Sequence, residues 1–380
     1  MQYDTSRATL ERVRRCIVAV LALASCSPED NEPALLPSLT KRGRPIEQLA
    51  PVDASVAPAP WTFAVMSDLH LPNDRAPTVH KTVAALVAMR VRFVVITGDH
   101  TNGSGLDGAG LVHHSTEWWE AVTTALQPLR DAGIAVLPVA GNHDSYLAGQ
   151  RDRYAAAFAD LDGWAGSLAI KAAGGTGRSL ARAPFSYSVE VDGVHLTLAH
   201  IVAQGLDREV AAWLAEDLAA AAGARHRIVF GHVPLSSVIQ PPSHTFAARL
   251  GAILERGHAG FYVAGHEHIV WDEDVALPAG GSLRQVLVGC TSGYYDYQPS
   301  EPPKLRAGCV PIELAGKREP MRCKMPNGGG EFVLSRGRKN RHIQHYKNSF
   351  TLFTVDGDKL SVRPMTIDAN GRALPFYLDE

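Results

Sequence analysis

The sequence predicts an α/β fold in which parallel and antiparallel strands both occur. Short apolar runs without polar interruption alternate with helical patterns from Trp61 onward, and such runs are typical of strands buried on both faces. The runs cover residues 63–66, 93–96, 134–139, 228–230 and 261–264. Strand patterns at 186–191 and 194–199 flank Asp192-Gly193, a dipeptide that favours a hairpin turn and therefore antiparallel pairing.

Helical patterns occupy stretches between these strands. The predicted helices cover residues 79–89, 116–132 and 208–222. Gly133 directly follows the second pattern, as is typical of a helix C-terminus, and Asp207 is a good N-cap for the third. A second hairpin, with strands over 350–355 and 359–364, is predicted near the end of the sequence.

The composition excludes several classes of protein. The 380 residues include 37 Lys and Arg against 39 Asp and Glu, for a net charge of −2, and 46% are hydrophobic. These values exclude a disordered acidic chain and a basic nucleic-acid-binding protein, so we expect no nucleic acid partner. Five cysteines do not make a disulfide-dense scaffold. The 16 histidines stand out in the composition, and their placement along the sequence has to be explained.

The N-terminal 26 residues are expected to form a lipoprotein-type signal peptide. Four arginines precede an apolar stretch over 16–24, which is the pattern of a secretory signal and is too short for a membrane span. Leu23-Ala24-Ser25-Cys26 resembles the lipobox of bacterial lipoproteins, in which the cysteine carries the lipid. This resemblance implies an exported protein of the bacterial periplasm or outer membrane, anchored at Cys26. The alternatives are a plain secretory signal and a start codon placed too far upstream.

The rest of the chain is expected to consist of a linker and one domain. Residues 27–60 contain seven prolines and no apolar period, which predicts a disordered tether. Residues 61–380 form the domain, in which 293–348 are expected to be an irregular insertion or a cap. Cys309 and Cys323 are the better candidates for a disulfide in an exported protein, because a Gly/Pro-rich loop separates them.

Polar residues follow each of the five apolar runs. In α/β sheets, binding sites form at the carboxyl ends of strands, so we expect these side chains to share one site. The candidate residues are Asp68, His70, Asp99, Asn142, His143, Asp144, His232, His266 and His268. Imidazole nitrogens combined with carboxylate oxygens suit Mn, Fe or Zn, whereas Ca and Mg prefer oxygen alone. Asp99 has two carboxylate oxygens and can therefore bridge two ions.

The motifs D-x-H, GD, GNHD, GH and GHxH occur in that order and resemble those of the calcineurin-like metallophosphoesterase superfamily. The resemblance implies a four-layer α/β/β/α sandwich with two central mixed β-sheets and a centre of two transition-metal ions. One ion would be bound by Asp68, His70, Asp99 and His268, and the other by Asp99, Asn142, His232 and His266. His143 would act on the leaving group, with Asp144 holding its second ring nitrogen.

The same resemblance implies an enzyme that hydrolyses a phosphodiester or phosphomonoester by attack of a metal-bridging hydroxide, with a diester favoured. Purple acid phosphatases have a tyrosine three residues after the bridging aspartate, whereas Asn102 stands here, which argues against a tyrosinate–iron centre. Leu71 and Thr101-Asn102-Gly103 differ from the motifs of protein serine/threonine phosphatases, which argues against phosphoprotein substrates.

The expected substrate is therefore a small-molecule phosphate ester, or one linked to a lipid or sugar. Contact with a membrane is expected only through the lipid anchor. The alternative is a non-catalytic, metal-binding scaffold lipoprotein of the same fold.

Several residues keep more than one interpretation. His100, directly after the bridging aspartate, either faces the substrate or has an ordinary structural role, and His200 either supports the site or does not. Residues 294–297, with the sequence Tyr-Tyr-Asp-Tyr, form either loop packing or a substrate wall. Trp118 and Trp119 are expected in the core.

Overall fold

A computed structural model describes most of the region after residue 58. The described residues are 59–103, 105–106, 112–113, 116–172, 179–238, 243–293, 309–311, 321–327, 331–336, 342–344 and 348–377. The expected signal peptide and nearly all of the expected tether lie outside them.

The first large sheet is built around three parallel strands. Its strands are β1 (Trp61–Met66), β2 (Phe93–Thr97), β5 (Ala135–Val139), β17 (Phe350–Asp356), β18 (Lys359–Ile367) and β19 (Ala373–Pro375). They lie in the order β19-β18-β17-β1-β2-β5, and β1, β2 and β5 are parallel. The predicted hairpin near the end of the sequence is confirmed, since β17 pairs antiparallel with β18 and with β1.

The second large sheet is also mixed. Its strands are β6 (Ile170–Ala172), β7 (Tyr187–Val191), β8 (Val194–Leu198), β9 (His226–Phe230), β10 (Phe261–Ala264), β11 (Val270–Ala276) and β12 (Ser282–Val288). They lie in the order β11-β12-β10-β9-β8-β7-β6, with β8, β9, β10 and β12 parallel. The hairpin predicted around Asp192-Gly193 joins β7 and β8.

Helices lie between the strands in sequence. They are α1 (Ala76–Met89), α2 (Thr116–Asp131), α3 (Asn142–Ser145), α4 (Ala148–Ala157), α5 (Leu161–Ala165), α6 (Arg208–Ala220) and α7 (His244–Arg256). The three helices predicted from the sequence correspond to α1, α2 and α6. None of the described helices has both the length and the apolar character that a membrane span requires.

Successive side chains of each strand face different cores, and this alternation produces the four layers. In β1, Phe63 and Val65 point into an apolar core between the two sheets, whereas Ala64 and Met66 point into a second core beneath the helices. Successive residues of a strand face opposite sides, so a strand buried on both sides must be apolar throughout. A third core packs α6 and α7 on the second sheet. The order helix, sheet, sheet, helix confirms the predicted sandwich.

A small antiparallel sheet lies within the segment that was predicted to be irregular. The strands β13 (Cys309–Pro311), β14 (Met321–Lys324), β15 (Glu331–Arg336) and β16 (His342–Gln344) pair in sequence order. The expectation of irregular structure over 293–348 is therefore wrong for these residues. The alternation of apolar and polar residues over Met321–Lys324 was the available signal. Cys323 is buried and disulfide-bonded, and Cys309 is its partner in the strand register.

A further short ladder pairs β3 (Gly105–Leu106) with β4 (Val112–His113). Tyr294 to Tyr297, whose role was left open, lie outside the described residues.

Candidate metal centre

The seven predicted ligands all lie where strands of the two sheets end. The first sheet contributes Asp68 and His70 after β1, Asp99 after β2 and Asn142 after β5; the second contributes His232 after β9, and His266 and His268 after β10. Parallel strands deliver the residues that follow them to one edge of a sheet. The two sheets thus supply the same centre from two sides.

Most of these ligands have left-handed backbone conformations, which are costly for residues other than glycine. The φ angles are 53° at Asp68, 47° at His70, 51° at Asp99, 68° at His266 and 53° at His268. Hydrogen bonds between loops maintain these turns: the Asp68 amide donates to the carbonyl of Gly98 (3.0 Å), and the His70 amide donates to that of Asp99 (2.9 Å). Strained residues that cluster in this way are typical of functional sites.

Close packing explains two of the glycines before the ligands. A Cβ atom at Gly141 would overlap the backbone and carboxylate of Asp99, and one at Gly265 would overlap Ser67 and Asp68. Loops of the first sheet approach each other too closely for a side chain at Gly141, and loops of the two sheets do so at Gly265.

One group of ligand atoms consists of Asp68, His70, Asp99 and His268, which all lie within 4.8 Å of one another. The Nε2 atoms of His70 and His268 are 3.0 Å apart, and His268 Nε2 is 3.2 Å from Asp68 Oδ1. Asp68 Oδ1 is fully buried and has no hydrogen-bond partner among the described residues. A buried carboxylate oxygen beside two converging imidazole nitrogens fits a cation.

The second group consists of Asp99, His232 and His266. Asn142 completes it, since its Oδ1 lies 2.9 Å from His232 Nε2 and 3.0 Å from His266 Nδ1. Asp99 Oδ2 is 3.3 Å from His232 Nε2 and 3.8 Å from His70 Nε2, so one carboxylate contacts both groups. The structure therefore brings together all seven residues that the sequence proposed as ligands.

Burial and the neighbouring charged groups shift the pKa values of the residues in the centre. Burial opposes ionisation of Asp99, but His232, His143 and His70 hold its pKa well below the usual value. Burial likewise disfavours the charged form of His232, yet Asp99 raises the pKa of His232 to about 9. The pKa values of His70 and His266 are lowered to about 4, chiefly by burial. Ionised carboxylates and neutral imidazoles are the forms that bind metals, so a metal would have to displace the proton of His232.

His143 lies at the edge of the centre and is much more exposed than the ligands. Its amide donates to Asp99 Oδ1 (2.8 Å), and its ring Nε2 is 3.9 Å from Asp99 Oδ2. Its side chain is 42% exposed. The ring Nδ1–H donates a hydrogen bond to the carbonyl of Asn102, 2.8 Å away.

The predicted role of Asp144 as the partner of the His143 ring is wrong. Asp144 is buried, and its carboxylate lies 2.8 Å from Nδ1 of His100. It also accepts hydrogen bonds from the amides of His100 (3.0 Å), Thr101 (3.2 Å) and Gly141 (2.9 Å). Asp144 and His143 are consecutive residues of α3, and consecutive side chains of a helix do not face each other. Asp144 instead joins the loop of Asp99 to the loop of Asn142.

Both histidines whose role was left open are buried. The His100 ring lies among Trp119, Tyr154 and Phe158, with ring centroids 5.3 to 5.9 Å away. It is fully buried, so it does not face the substrate. His200 contacts the end of α3, since its Nε2 is 2.9 Å from the Ser145 hydroxyl. It therefore supports the helix that carries Asn142 and His143.

Sequence reasoning missed Glu267, the residue between the ligands His266 and His268. Its buried carboxylate accepts hydrogen bonds from the Ser237 hydroxyl and from the Val238 amide (3.0 Å). Glu267 therefore joins the loop after β10 to the loop that follows His232. An acidic residue flanked by two ligands was the available signal.

Comparisons with known proteins agree with this geometry. The family model for calcineurin-like phosphoesterases matches residues 62–270, which include every candidate residue. A purple acid phosphatase from yellow lupin (Lupinus luteus) seeds has a similar structure, with a TM-score of 0.53 and 11% identity over 83% of this chain and 53% of that enzyme. The chain thus spans about half the length of the lupin enzyme.

Two further structures are similar over most of the chain. GAP50, the anchor in the inner membrane complex of Plasmodium, has a TM-score of 0.49 and 11% identity, covering 84% of this chain and 90% of that one. A dimetal phosphatase from Danio rerio has a TM-score of 0.39 and 13% identity, covering 75% and 99%.

No curated protein sequence matches the chain significantly. Because the sequence identities to these solved structures are only 11–13%, the similarity concerns the fold alone. The family match, in contrast, covers more than half of the 380 residues and spans all five motifs. The chain therefore belongs to the calcineurin-like phosphoesterase family.

Proposed function

We propose that the protein is a phosphoesterase that uses two transition-metal ions to hydrolyse a phosphate ester, with diesters favoured over monoesters. The observation that carries the proposal is the position of Asp99, whose carboxylate belongs to both groups of ligand atoms. Two-metal hydrolytic sites hold their ions about 3.5–4 Å apart, a separation that one bridging carboxylate can span.

The donor set supports Mn, Fe or Zn, since four imidazoles and an amide oxygen accompany two carboxylates. Asp68, His70, Asp99 and His268 would hold one ion, and Asp99, Asn142, His232 and His266 the other. When bound, such ions supply an activated water near neutral pH and positive charge for the phosphoryl oxygens. The side chain of Asn102 donates to the carbonyl of Pro72 (2.9 Å), which supports a centre without a tyrosinate ligand.

We assign His143 to the leaving group. Its Nδ1 is held by the Asn102 carbonyl at 2.8 Å, which orients the ring and leaves Nε2 on the side of Asp99. In the imidazolium form, Nε2–H transfers its proton to the departing alkoxide as the P–O bond breaks.

The test is metal reconstitution of the full chain. Metal is removed with a chelator and Mn, Fe or Zn is restored singly, and turnover is measured with bis(p-nitrophenyl) phosphate and p-nitrophenyl phosphate. Turnover that requires about two equivalents of metal, and is faster with the diester, supports the proposal. Turnover of neither ester with any of the metals supports the scaffold function instead.

We also propose that the protein is exported and lipid-anchored at Cys26, with residues 27–60 as a tether and a small-molecule, lipid-linked or sugar-linked phosphate ester as substrate. The support is the sequence pattern before residue 61. Cys26→Ala in a bacterial host is expected to move the protein from the membrane fraction to the soluble fraction. An unchanged distribution would contradict the anchor.

A further inference from the structure

A cavity of about 500 Å³ lies between α4 and the chain that leads into β7. Residues of α4 line one side of it, and residues between Ser179 and Phe185 line the other. Neither His143 nor any of the candidate metal ligands is among its described lining residues. The cavity is therefore separate from the metal centre, and its volume is typical of small-molecule sites.

The apolar part of the cavity wall is held in place by contacts behind it. The ring of Phe185 stacks on Tyr154, with centroids 5.3 Å apart, and meets the ring of His200 edge-on at 5.5 Å. The amides of Phe185 and Ser186 both donate to the carbonyl of Arg182, at 2.8 and 2.9 Å, which fixes the turn before β7. A wall that is formed in advance lowers the cost of binding a ligand.

The described lining carries a net positive charge, because Arg151 and Arg182 contribute two cations and Asp152 the one acidic side chain. Arg151 is half-buried, and its guanidinium makes no ion pair or hydrogen bond with the described residues. Asp152 is exposed, and as the next residue of α4 it does not face Arg151. A partly buried cation without a protein partner is a ready site for an anion.

We propose that this cavity is a second binding site, which takes a small organic anion composed of a flat apolar group and one oxyanion group. The oxyanion would lie against Arg151 and Arg182, since guanidinium groups match the geometry of such anions. The apolar group would lie against Ala155, Leu180 and Phe185, which line the same cavity. The inference goes beyond the proposed function, because it uses none of the residues assigned to the metal centre.

The experiment compares two probes of nearly the same shape, 2-naphthalenesulfonate and the neutral 2-naphthalenesulfonamide. Their binding to the full, metal-loaded chain is measured by isothermal titration calorimetry near neutral pH. A sulfonate is a weak ligand for metal ions, so this probe does not report on the metal centre. We expect one equivalent of the sulfonate to bind, with an affinity at least about tenfold higher than that of the sulfonamide.

The double variant Arg151→Gln, Arg182→Gln should weaken binding of the sulfonate at least about tenfold and change that of the sulfonamide by less than about twofold. Arg151→Gln alone should reproduce part of this loss at an unchanged melting temperature, because its guanidinium has no described contact to lose. The control Arg256→Gln, Arg372→Gln removes two exposed charges that are not among the described lining residues, and it should change neither affinity. Ala155→Trp should weaken both probes, because it fills the cavity.

Four outcomes would overturn the inference. They are no binding of the sulfonate to the unmutated protein, equal affinities for the two probes, equal losses in the arginine and control variants, and loss of sulfonate binding in Asp99→Asn. The last would place the probe at the metal centre. Binding is measured without turnover, so the proposed function can fail while this site is confirmed, and the reverse.

Discussion

Two histidine–aspartate pairs outside the ligand set have the same contact but different consequences. His100 Nδ1 lies 2.8 Å from Asp144, and His195 Nε2 lies 2.8 Å from Asp217. The other bonds of Asp144 come from backbone amides of two ligand loops. Those of Asp217 come from the hydroxyls of Ser188 and Thr197, both at 2.7 Å, which join α6 to the second sheet.

The difference shows that the position of a carboxylate decides its role. A carboxylate that holds backbone amides of ligand loops sets the shape of the site, whereas one that holds side chains of a sheet sets the packing of a helix. The pairs therefore make a matched experiment, in which the same Asp→Asn substitution should affect activity in one case and only stability in the other.

The largest effect is expected at Asp99, which we propose as the bridging ligand and which provides the reference for both pairs. Asp99→Asn should abolish turnover and lower the metal content, because an amide cannot supply the charge that balances two cations. The fold should persist, as measured by circular dichroism. Turnover near that of the unmutated protein would contradict the bridging role.

His143→Ala separates chemistry from metal binding. We expect turnover to fall by about 10²–10⁴-fold with the metal content unchanged, since the ring contacts the centre without belonging to either group of ligand atoms. Metal analysis of the purified variant, together with kcat, checks this. Loss of metal would place His143 among the ligands.

Asp144→Asn tests the first pair. The substitution replaces a carboxylate oxygen by an NH₂ group, which cannot accept the hydrogen bonds that backbone amides now donate to Asp144. The loops of Asp99 and Asn142 should therefore shift. We expect turnover and metal affinity to fall about 10–100-fold, the usual range for groups that orient ligands. Metal titration and kcat at matched folded fractions measure this effect. Unchanged metal affinity and kcat would mean that Asp144 contributes only to packing.

Asp217→Asn tests the second pair. The free energy of unfolding should fall by about 1–3 kcal/mol, because a mostly buried acceptor of three hydrogen bonds is replaced. The kcat and metal affinity of the folded protein should not change. Urea denaturation and turnover of the same preparation give both quantities, and a loss of kcat similar to that of Asp144→Asn would remove the distinction between the pairs.

The smallest effect is the pH dependence of the second pair. Burial would raise the pKa of Asp217, but its hydrogen bonds with His195, Ser188 and Thr197 lower it below 3.8. A folded-state pKa below the unfolded value means that the stabilisation is present at higher pH and is lost in acid. The stability difference between the unmutated protein and Asp217→Asn should therefore be full above about pH 5 and shrink as the pH falls below 3.8. A difference that is constant with pH would contradict the shift.

The candidate ligands that the structure brings together could be proposed from the sequence because their signal is local. Each ligand directly follows an apolar run, and parallel strands bring the residues after them to one edge. The role of Asp144 could not be predicted in this way, because its partner His100 is 44 residues distant in sequence. The direction of a side chain in a helix of only four residues is also not visible in the sequence.

The small sheet of β13 to β16 shows the same limit for the fold. Its strands pair only with one another, and the stretches between them contain Gly or Pro, which favoured a loop despite the alternation over Met321–Lys324.

The sequence by itself determined the layered α/β architecture and its two hairpins and proposed the candidate ligands, since these depend on patterns within a few residues of one another. Only the tertiary structure decided that Asp99 contacts both groups of candidate ligands and that Asp144 holds two loops rather than the His143 ring. These properties depend on distances between segments far apart in the chain, which the packing of the two sheets sets.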